Sequence, residues 1–485
     1  MWNDRPRPGE SPVKPYLLPL ALLLAGCANH GDLAPAIRPV DGAGLATAQT
    51  LSGPAAQGAP AAAWWREFGD PQLDALIDEA LQSAPSLQLA AARLRQALAQ
   101  AGVADSATRP RVMGNYQGDR ERMSEHFLYP PPFGGSTVTM SRLALDFSYE
   151  LDFWGRHRET MKGAQSEARA AELERETARL VLATGIARSY VELDRLLSLQ
   201  ALSDRQLQAA REAAHLVDQR FAAGIDNEPA RNRARVQAAA LENEQAAIAE
   251  QVLRVRHQLA ALLGAGPDRG LAIGRPDLKN AGALALPSVL PAELMGRRPD
   301  VVAQRLRVEA AEHYAEATKA DFYPNVNLSA FLGFQSIGTD TLLKSGSRIA
   351  GLGPAVSLPI YAGGNTRARV AGRYAEYDAA AAQYNATLTT ALREIADAVG
   401  AWRAVEEREA AQRVATNESG RAFDAARRRH EAGVDNRLAV IGAETEAIAE
   451  QRRSADLRAQ RFAAAIELAR ALGGGYAEST VLARR

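Results

Sequence analysis

Internal duplication constrains the fold of this chain more than any other feature of its sequence. Pro85 and Pro110 recur 214 positions later as Pro299 and Pro324, and Gly155, Gly224 and Gly264 recur 209 positions later as Gly364, Gly433 and Gly473. The offset changes between the second proline and the first glycine of each half. Local sequence agrees: "RFAAGIDN" (220–227) matches "RHEAGVDN" (429–436), and "LAALLGAG" (259–266) matches "LARALGGG" (468–475). Proline and glycine force or permit special backbone angles. Shared punctuation over about 200 residues therefore marks two copies of one supersecondary unit.

Each copy reads as helix, two strands, long helix and return helix. The stretches 85–110 and 299–324 are rich in helix formers and carry no internal breaker, with Asp300 favouring a helix start. The period then switches to two. Leu143, Leu145, Phe147, Tyr149, Leu151 and Phe153 alternate with Ala144, Asp146, Ser148, Glu150 and Asp152. Val326, Leu328, Ala330, Leu332 and Phe334 do the same in the second half. This alternation marks strands with one apolar and one polar side. Weaker partner strands are expected at 111–122 and 347–361, joined through "MSEHFLYPPPFGG" and "SIGTDTLLKSG", which carry turn residues.

No proline falls between Gly155 and Gly224 or between Gly364 and Gly433. A helix of that length spans about 100 Å at 1.5 Å per residue. Leu173, Thr177, Leu180, Thr184, Ala187 and Val191 step by four and three, as in a coiled-coil seam. Gly224 and Gly433 then act as helix stops, turning the chain into return helices that end near Gly264 and Gly473.

Four strands of about ten residues match the thickness of a bilayer. They cannot close a barrel alone, because two edges would leave unpaired N–H and C=O groups facing lipid. Edges must therefore pair between copies. Two copies give eight strands with a filled interior, and three give twelve with room for a lumen. The helices would extend that tube away from the membrane.

The N-terminus fits such a destination. Cys27 is the only cysteine, so neither an internal disulfide nor a thiolate zinc site is available. It closes an apolar run, Leu17 to Ala25, that is too short to span a bilayer and follows Arg5, Arg7 and Lys14, the layout of an export signal. The stretch Leu24-Ala25-Gly26-Cys27 resembles the lipobox of bacterial lipoproteins. That resemblance implies cleavage before Cys27, a covalent N-acyl and S-diacylglycerol lipid on it, and, with Ala28 following, sorting to the outer membrane. Lysine plus arginine and aspartate plus glutamate stand at 57 each, so no nucleic-acid partner is expected. The seven histidines are scattered, and HExxH, phosphate-loop and GxSxG patterns are absent. No catalytic residue, metal site or further cofactor is expected, and the chain is not read as an enzyme.

The segment "AAAWWREFGDPQLDALIDEAL" (61–81), with Trp64, Trp65, Phe68, Asp70, Pro71, Leu73 and Leu76, resembles the entry segment of NodT-type outer-membrane efflux lipoproteins. "LDFWGR" (151–156), "RRPDV" (297–301), "ADFYPNV" (320–326) and "LPIYAGG" (358–364) are similar to further stretches of that family. The resemblance implies an α+β membrane channel of TolC-like form: a homotrimer sharing one twelve-stranded β-barrel in the bacterial outer membrane, continuous with a periplasmic helical coiled-coil barrel. It implies the passive exit duct of a tripartite multidrug efflux system, with a periplasmic adaptor protein and an inner-membrane transporter as partners. The rival expectation is a periplasmic coiled-coil lipoprotein or adaptor without a pore, which leaves the four strands unexplained.

The expected organisation is a signal peptide (1–26), an acylated N-terminal segment and equatorial region (27–84), a first repeat (85–284), a second repeat (285–473) and a C-terminal tail (474–485). In the family the helix turns form the periplasmic tip, where the duct closes and the adaptor docks. Here these are Gly224, Ile225, Asp226 and Asn227, and Gly433, Val434, Asp435 and Asn436. The Asp and Asn residues either cap the following helices or line the aperture. Related channels often carry an aspartate a few residues further on, but this chain has Ala230 and Gly442 there, with Pro229 in place of an aliphatic residue. Around them sit Arg231, Arg233, Arg235 and Arg437, which either face the lumen and repel cations or form a solvated or adaptor-facing surface. Trp64, Trp65 and Trp154 are candidate interfacial anchors, with core packing at the barrel base the alternative for Trp154.

Overall fold

The structure, a computed structural model, describes residues 33–42, 45–46, 61–126, 130–280 and 296–476. Cys27 and the signal segment lie outside the described residues. A 3₁₀ turn at Trp64–Phe68 precedes α1 (Pro71–Ser83) and α2 (Pro85–Ser106). Then come β1 (Arg111–Arg122), β2 (Thr137–Glu150), α3 (Arg156–Ala222), α4 (Glu228–Leu262) and the short α5 (Pro267–Leu271). The second half repeats the order with α6 (Pro299–Lys319), β3 (Asn325–Ile337), β4 (Arg348–Ser357), α7 (Asn365–Glu431) and α8 (Arg437–Ala471). The two long helices are each 67 residues and the two return helices each 35.

The described residues form two compact units, one comprising 33–39, 95–126, 130–169 and 305–383, the other the rest of them. The first unit carries a four-stranded antiparallel sheet in the order β1-β2-β3-β4, so the hairpins of the two halves join at its centre. Strand limits differ from expectation at four points, the first being that β2 ends at Glu150, so Leu151, Asp152 and Phe153 of the expected alternation lead into α3 instead. β2 starts at Thr137 because its partner β1 runs to Arg122, and the ladder pairs those two residues. β3 extends to Ile337, opposite Met140, so Ser336 and Ile337 belong to the strand rather than the loop. β4 stops at Ser357 because that residue pairs with Asn325, the first residue of β3, and the ladder has no partner beyond it.

The second unit holds the large hydrophobic core. Trp64, Trp65 and Phe68 are almost fully buried, with ring centroids 5.7 and 5.8 Å apart in edge-to-face contacts, and Phe462 of α8 meets Phe68 at 5.4 Å. Burying each ring stabilises the fold by about 1.5–3 kcal/mol. Trp64 and Trp65 are therefore core residues, and their expected role as interfacial anchors is corrected. Asp70 explains the start of α1. Its carboxylate accepts from the Gln72 N–H (2.9 Å), the Tyr190 hydroxyl (2.7 Å) and the Asp277 N–H (2.7 Å), while Pro71 occupies the first helical turn, where an N–H is not needed.

Candidate functional site

Residues paired across an antiparallel ladder share a face, so register assigns each side of the sheet. One side carries Val112 and Tyr116, then Leu143, Leu145, Phe147 and Tyr149, and across β3 and β4 Leu328, Leu332, Leu352 and Val356. This side is exposed although apolar: Leu145 is 56%, Leu332 64% and Leu352 75% accessible. The other side carries Asn115, Gln117, Arg142, Asp146, Ser148, Asn327, Ser329 and Gln335. There Arg142 pairs with Asp146 (Nη2–Oδ1 2.6 Å) and Asn115 donates to the same carboxylate (2.7 Å). Phe331, whose ring is pressed onto the backbone at Gly351, interrupts the polarity of this side, as do Met113, Met140, Ile337 and Ile349. Among the described residues no helix is long and apolar enough to cross a membrane; the sheet presents the apolar surface.

At the sheet's lower end Asp152 accepts from the N–H groups of His157 and Arg158 (3.2 and 2.9 Å), starting α3 directly after β2. Glu150 accepts from Arg156 (2.7 Å), and Arg369 lies 2.9 Å from Asp321. Trp154 is half exposed, stacks on Tyr323 at 4.5 Å and donates from Nε1 to the Pro324 carbonyl (2.9 Å).

In the second unit, the two helix turns are built alike. Gly224 and Gly433 take φ of +73° and +70°, which L side chains rarely adopt. Around them Ile225 N–H donates to Arg220 O (2.8 Å) and Val434 N–H to Arg429 O (2.9 Å), closing the helix ends. Asn227 and Asn436 each cap the next helix, accepting from Ala230 and Ala439 N–H (3.0 and 2.9 Å). Asp226 instead receives Arg220 (Nε–Oδ2 2.8 Å), and Asp435 lies 3.5 Å from the equivalent Arg429. The Arg220 hydrogen bond holds the Asp226 carboxyl below its usual range. Ile225 and Val434 protrude, 65% and 70% exposed. Pro229 sits in the first turn of α4, where its missing N–H costs nothing.

The four arginines have specific neighbours. The Arg231 guanidinium lies 4.2 Å from the Phe221 ring centre and 3.6 Å from Glu228. Arg235 donates to Asp218 (3.0 Å), and the exposed Arg233 donates to the Pro229 carbonyl (3.3 Å). Arg437 makes a two-pronged pair with Glu212 of α3 (2.6 and 2.8 Å), and these bonds hold Glu212 below the ordinary carboxylate range. This pair begins a ladder between α3 and α8 that continues through Arg205–Glu444 (3.7 Å), Arg195–Asp456 (2.9 Å) and Arg188–Glu467. Sequence reasoning missed Glu212, Asp218 and Phe221. Phe221 lies inside the recognised motif and Asp218 two residues before it, but Glu212 lies 225 positions from Arg437 and left no local signal.

An exposed apolar sheet face with a polar reverse, feeding 67-residue helices that turn at capped glycine ends, defines a strand-inserted membrane channel protein with a helical extension. Comparison with known proteins specifies the class. The outer membrane efflux protein family matches residues 76–265 and 290–474, one segment in each half. The multidrug resistance outer membrane protein MdtP of Escherichia coli K12 is 31% identical, with 89% of this chain and 90% of that protein covered. The fusaric acid resistance protein FusA of Burkholderia cepacia is 36% identical over 73% of this chain and 68% of its own length. Among solved structures, the outer membrane protein VceC of Vibrio cholerae matches with a TM-score of 0.78 at 36% identity, over 86% of this chain and 99% of that one. The chain belongs to the outer membrane efflux protein family. It is an outer-membrane efflux channel, with the sheet-plus-helical-barrel fold of the solved members. Those members are channels rather than enzymes.

Proposed function

We propose that three copies of the chain close one twelve-stranded barrel in the outer membrane and form a passive periplasmic duct for drugs and other small organic solutes. The observation that carries this reading is the sheet itself: β1 and β4 each have a single neighbour, and one face presents Val112, Tyr116, Leu145, Leu332, Leu352 and Val356 as exposed apolar side chains. Pairing β4 of one copy with β1 of the next removes every edge, and the apolar face then meets lipid. Resistance to many drugs in MdtP and to fusaric acid in FusA supports small organic cargo. The turns at 224–227 and 433–436 are the periplasmic tip in this reading, with Ile225 and Val434 as contacts for an adaptor that links the duct to an inner-membrane transporter. Arg231, Arg235 and Arg437 are largely neutralised by their neighbours, leaving Arg233 as the residue that tunes ion preference at the aperture. An acylated Cys27 anchors each copy beside its barrel.

The test is conductance of the purified protein in planar bilayers, alongside its migration in mild detergent. Gated pores from a heat-dissociable trimer are expected, with Arg437→Ala raising open probability. Parent and variant both silent and monomeric would overturn the duct in favour of a coiled-coil lipoprotein without a pore.

A further inference from the structure

The ladder register sorts the charged residues of the sheet as well as the apolar ones. On the apolar side the charged strand residues are Arg120 and Arg122 of β1 and Arg348 of β4, with no aspartate or glutamate among them. The reverse side carries Asp119, Glu121, Asp146 and Glu150 together with Arg111 and Arg142. Asp119 and Glu121 alternate in sequence with Arg120 and Arg122, so the pleat sends the two signs to opposite faces. One face is purely cationic and the other is net acidic.

All three arginines are exposed and stand at the loop end of the sheet. Arg120 and Arg122 close β1 before its hairpin loop, and Arg348 opens β4 after the other. The apolar rows below them reach from Val326 to Phe334 on β3, a length of about 27 Å, which suits a lipid-facing band of about 25 Å. Arg348 stands opposite Phe334, at the last row of that band. Beyond it the same side becomes polar through Ser141, Thr139 and Thr137 on β2 and Ser336 on β3, with Arg120 and Arg122 opposite the two threonines. The long helices leave from the other end of the sheet, after β2 and β4.

These arginines lack counter-charges. Among the described residues Arg120 and Arg348 meet no carboxylate, and Arg122 has only Glu125 at 3.6 Å. Acids of the reverse side are engaged instead: Asp119 accepts from Gln117 (2.7 Å), Asp146 from Arg142 and Asn115, and Glu150 from Arg156. Charges on edge strands discourage stray pairing, but either sign does that, and only arginine occurs on the apolar side. Pairing β4 of one copy with β1 of the next brings Arg348 to the same face and the same end as Arg120 and Arg122. Like charges on adjoining strands repel, and an anion between them relieves that repulsion.

We propose that Arg120, Arg122 and Arg348 bind the phosphate groups of anionic lipid headgroups in the outer leaflet, just beyond the apolar band. A guanidinium fork matches phosphate oxygens in pairs and is more weakly hydrated than an ammonium. The lipid's acyl chains then lie along the exposed rows that include Tyr116 and Leu332. This site rests on the barrel reading above and adds a ligand to the barrel's outer wall.

Native mass spectrometry of the purified oligomer in mild detergent tests it, with diphosphorylated lipid A, dephosphorylated lipid A, phosphatidylcholine and sodium phosphate as separate probes. Adducts are expected with diphosphorylated lipid A alone, and they should weaken as salt rises. Combining Arg120→Gln, Arg122→Gln and Arg348→Gln should reduce that binding by about tenfold or more with the oligomer intact, whereas Arg111→Gln on the reverse face should leave it unchanged. Equal retention of the dephosphorylated lipid overturns phosphate recognition in favour of the apolar surface alone, a result that needs no variant. Displacement of the lipid by equimolar inorganic phosphate overturns it in favour of a free-anion site. Unchanged binding in the triple variant removes these three residues. A parent chain that is monomeric in detergent removes the underlying barrel reading instead.

Discussion

At the residue scale, the tip depends on backbone conformation at two glycines. A Cβ at Gly224 or Gly433 meets no atom, so the cost of alanine there is purely conformational, about 1–2 kcal/mol at positive φ. Gly433→Ala should therefore raise hydrogen exchange of the 430–437 amides severalfold and leave the sheet amides unchanged. Asp70 illustrates a different kind of residue. It is buried and satisfied by Gln72, Tyr190 and Asp277, so Tyr190→Phe removes a hydroxyl that both Asp70 and Gln72 use. The expected cost is about 1–3 kcal/mol, read as a lowered urea midpoint. "FGDPQL" was visible as a motif, but its physical role was not, because Tyr190 lies 120 positions away.

At the element scale, the ion-pair ladder ties α8 to α3 along its length. Each exposed pair contributes about 0.2–1 kcal/mol, so the ladder sets register more than it adds stability. The Arg437–Glu212 pair is its tip-proximal rung. Glu212 has a lowered folded pKa, so its contribution is complete above the ordinary glutamate value of 4.5 and is lost as pH falls through the lower folded value. Open probability should thus stay flat from neutral pH to about 5 and rise below 4.5, and Arg437→Ala should remove most of that acid response. Glu394 follows the same sign: burial opposes its charge, but Arg298 and Arg470 hold it below the usual range. Acid unfolding should therefore begin in the same window, and Glu394→Gln should shift its midpoint.

At the scale of the whole molecule, the two faces of the sheet make opposite predictions. Leu332→Arg or Leu352→Arg places a charge on the apolar face, at about 2–4 kcal/mol near the bilayer midplane, and should sharply reduce heat-dissociable oligomer in outer-membrane fractions. Ser329→Arg, on the reverse face, should preserve oligomer yield and shift reversal potential toward anions. Equal loss from both substitutions would remove the assignment of faces. The family's exit-duct role suits this division, because a passive pore needs a wet inner side and a lipid-facing outer one.

Glycine and proline spacing, strict alternation in β2 and β3 and the long breaker-free helices were enough to determine two repeats, four strands and the positions of both turns. These are local properties, fixed by backbone sterics and side-chain period. Their partners were decided only in three dimensions. Tertiary packing moved Trp64 and Trp65 into the core, turned Arg231 and Arg235 back onto α3, and paired Arg437 with a glutamate from the other half. Periodicity shows which side of an element is apolar, but not which surface will cover it. A long, flexible arginine finds its carboxylate by proximity after folding, and no spacing rule in the chain encodes that meeting.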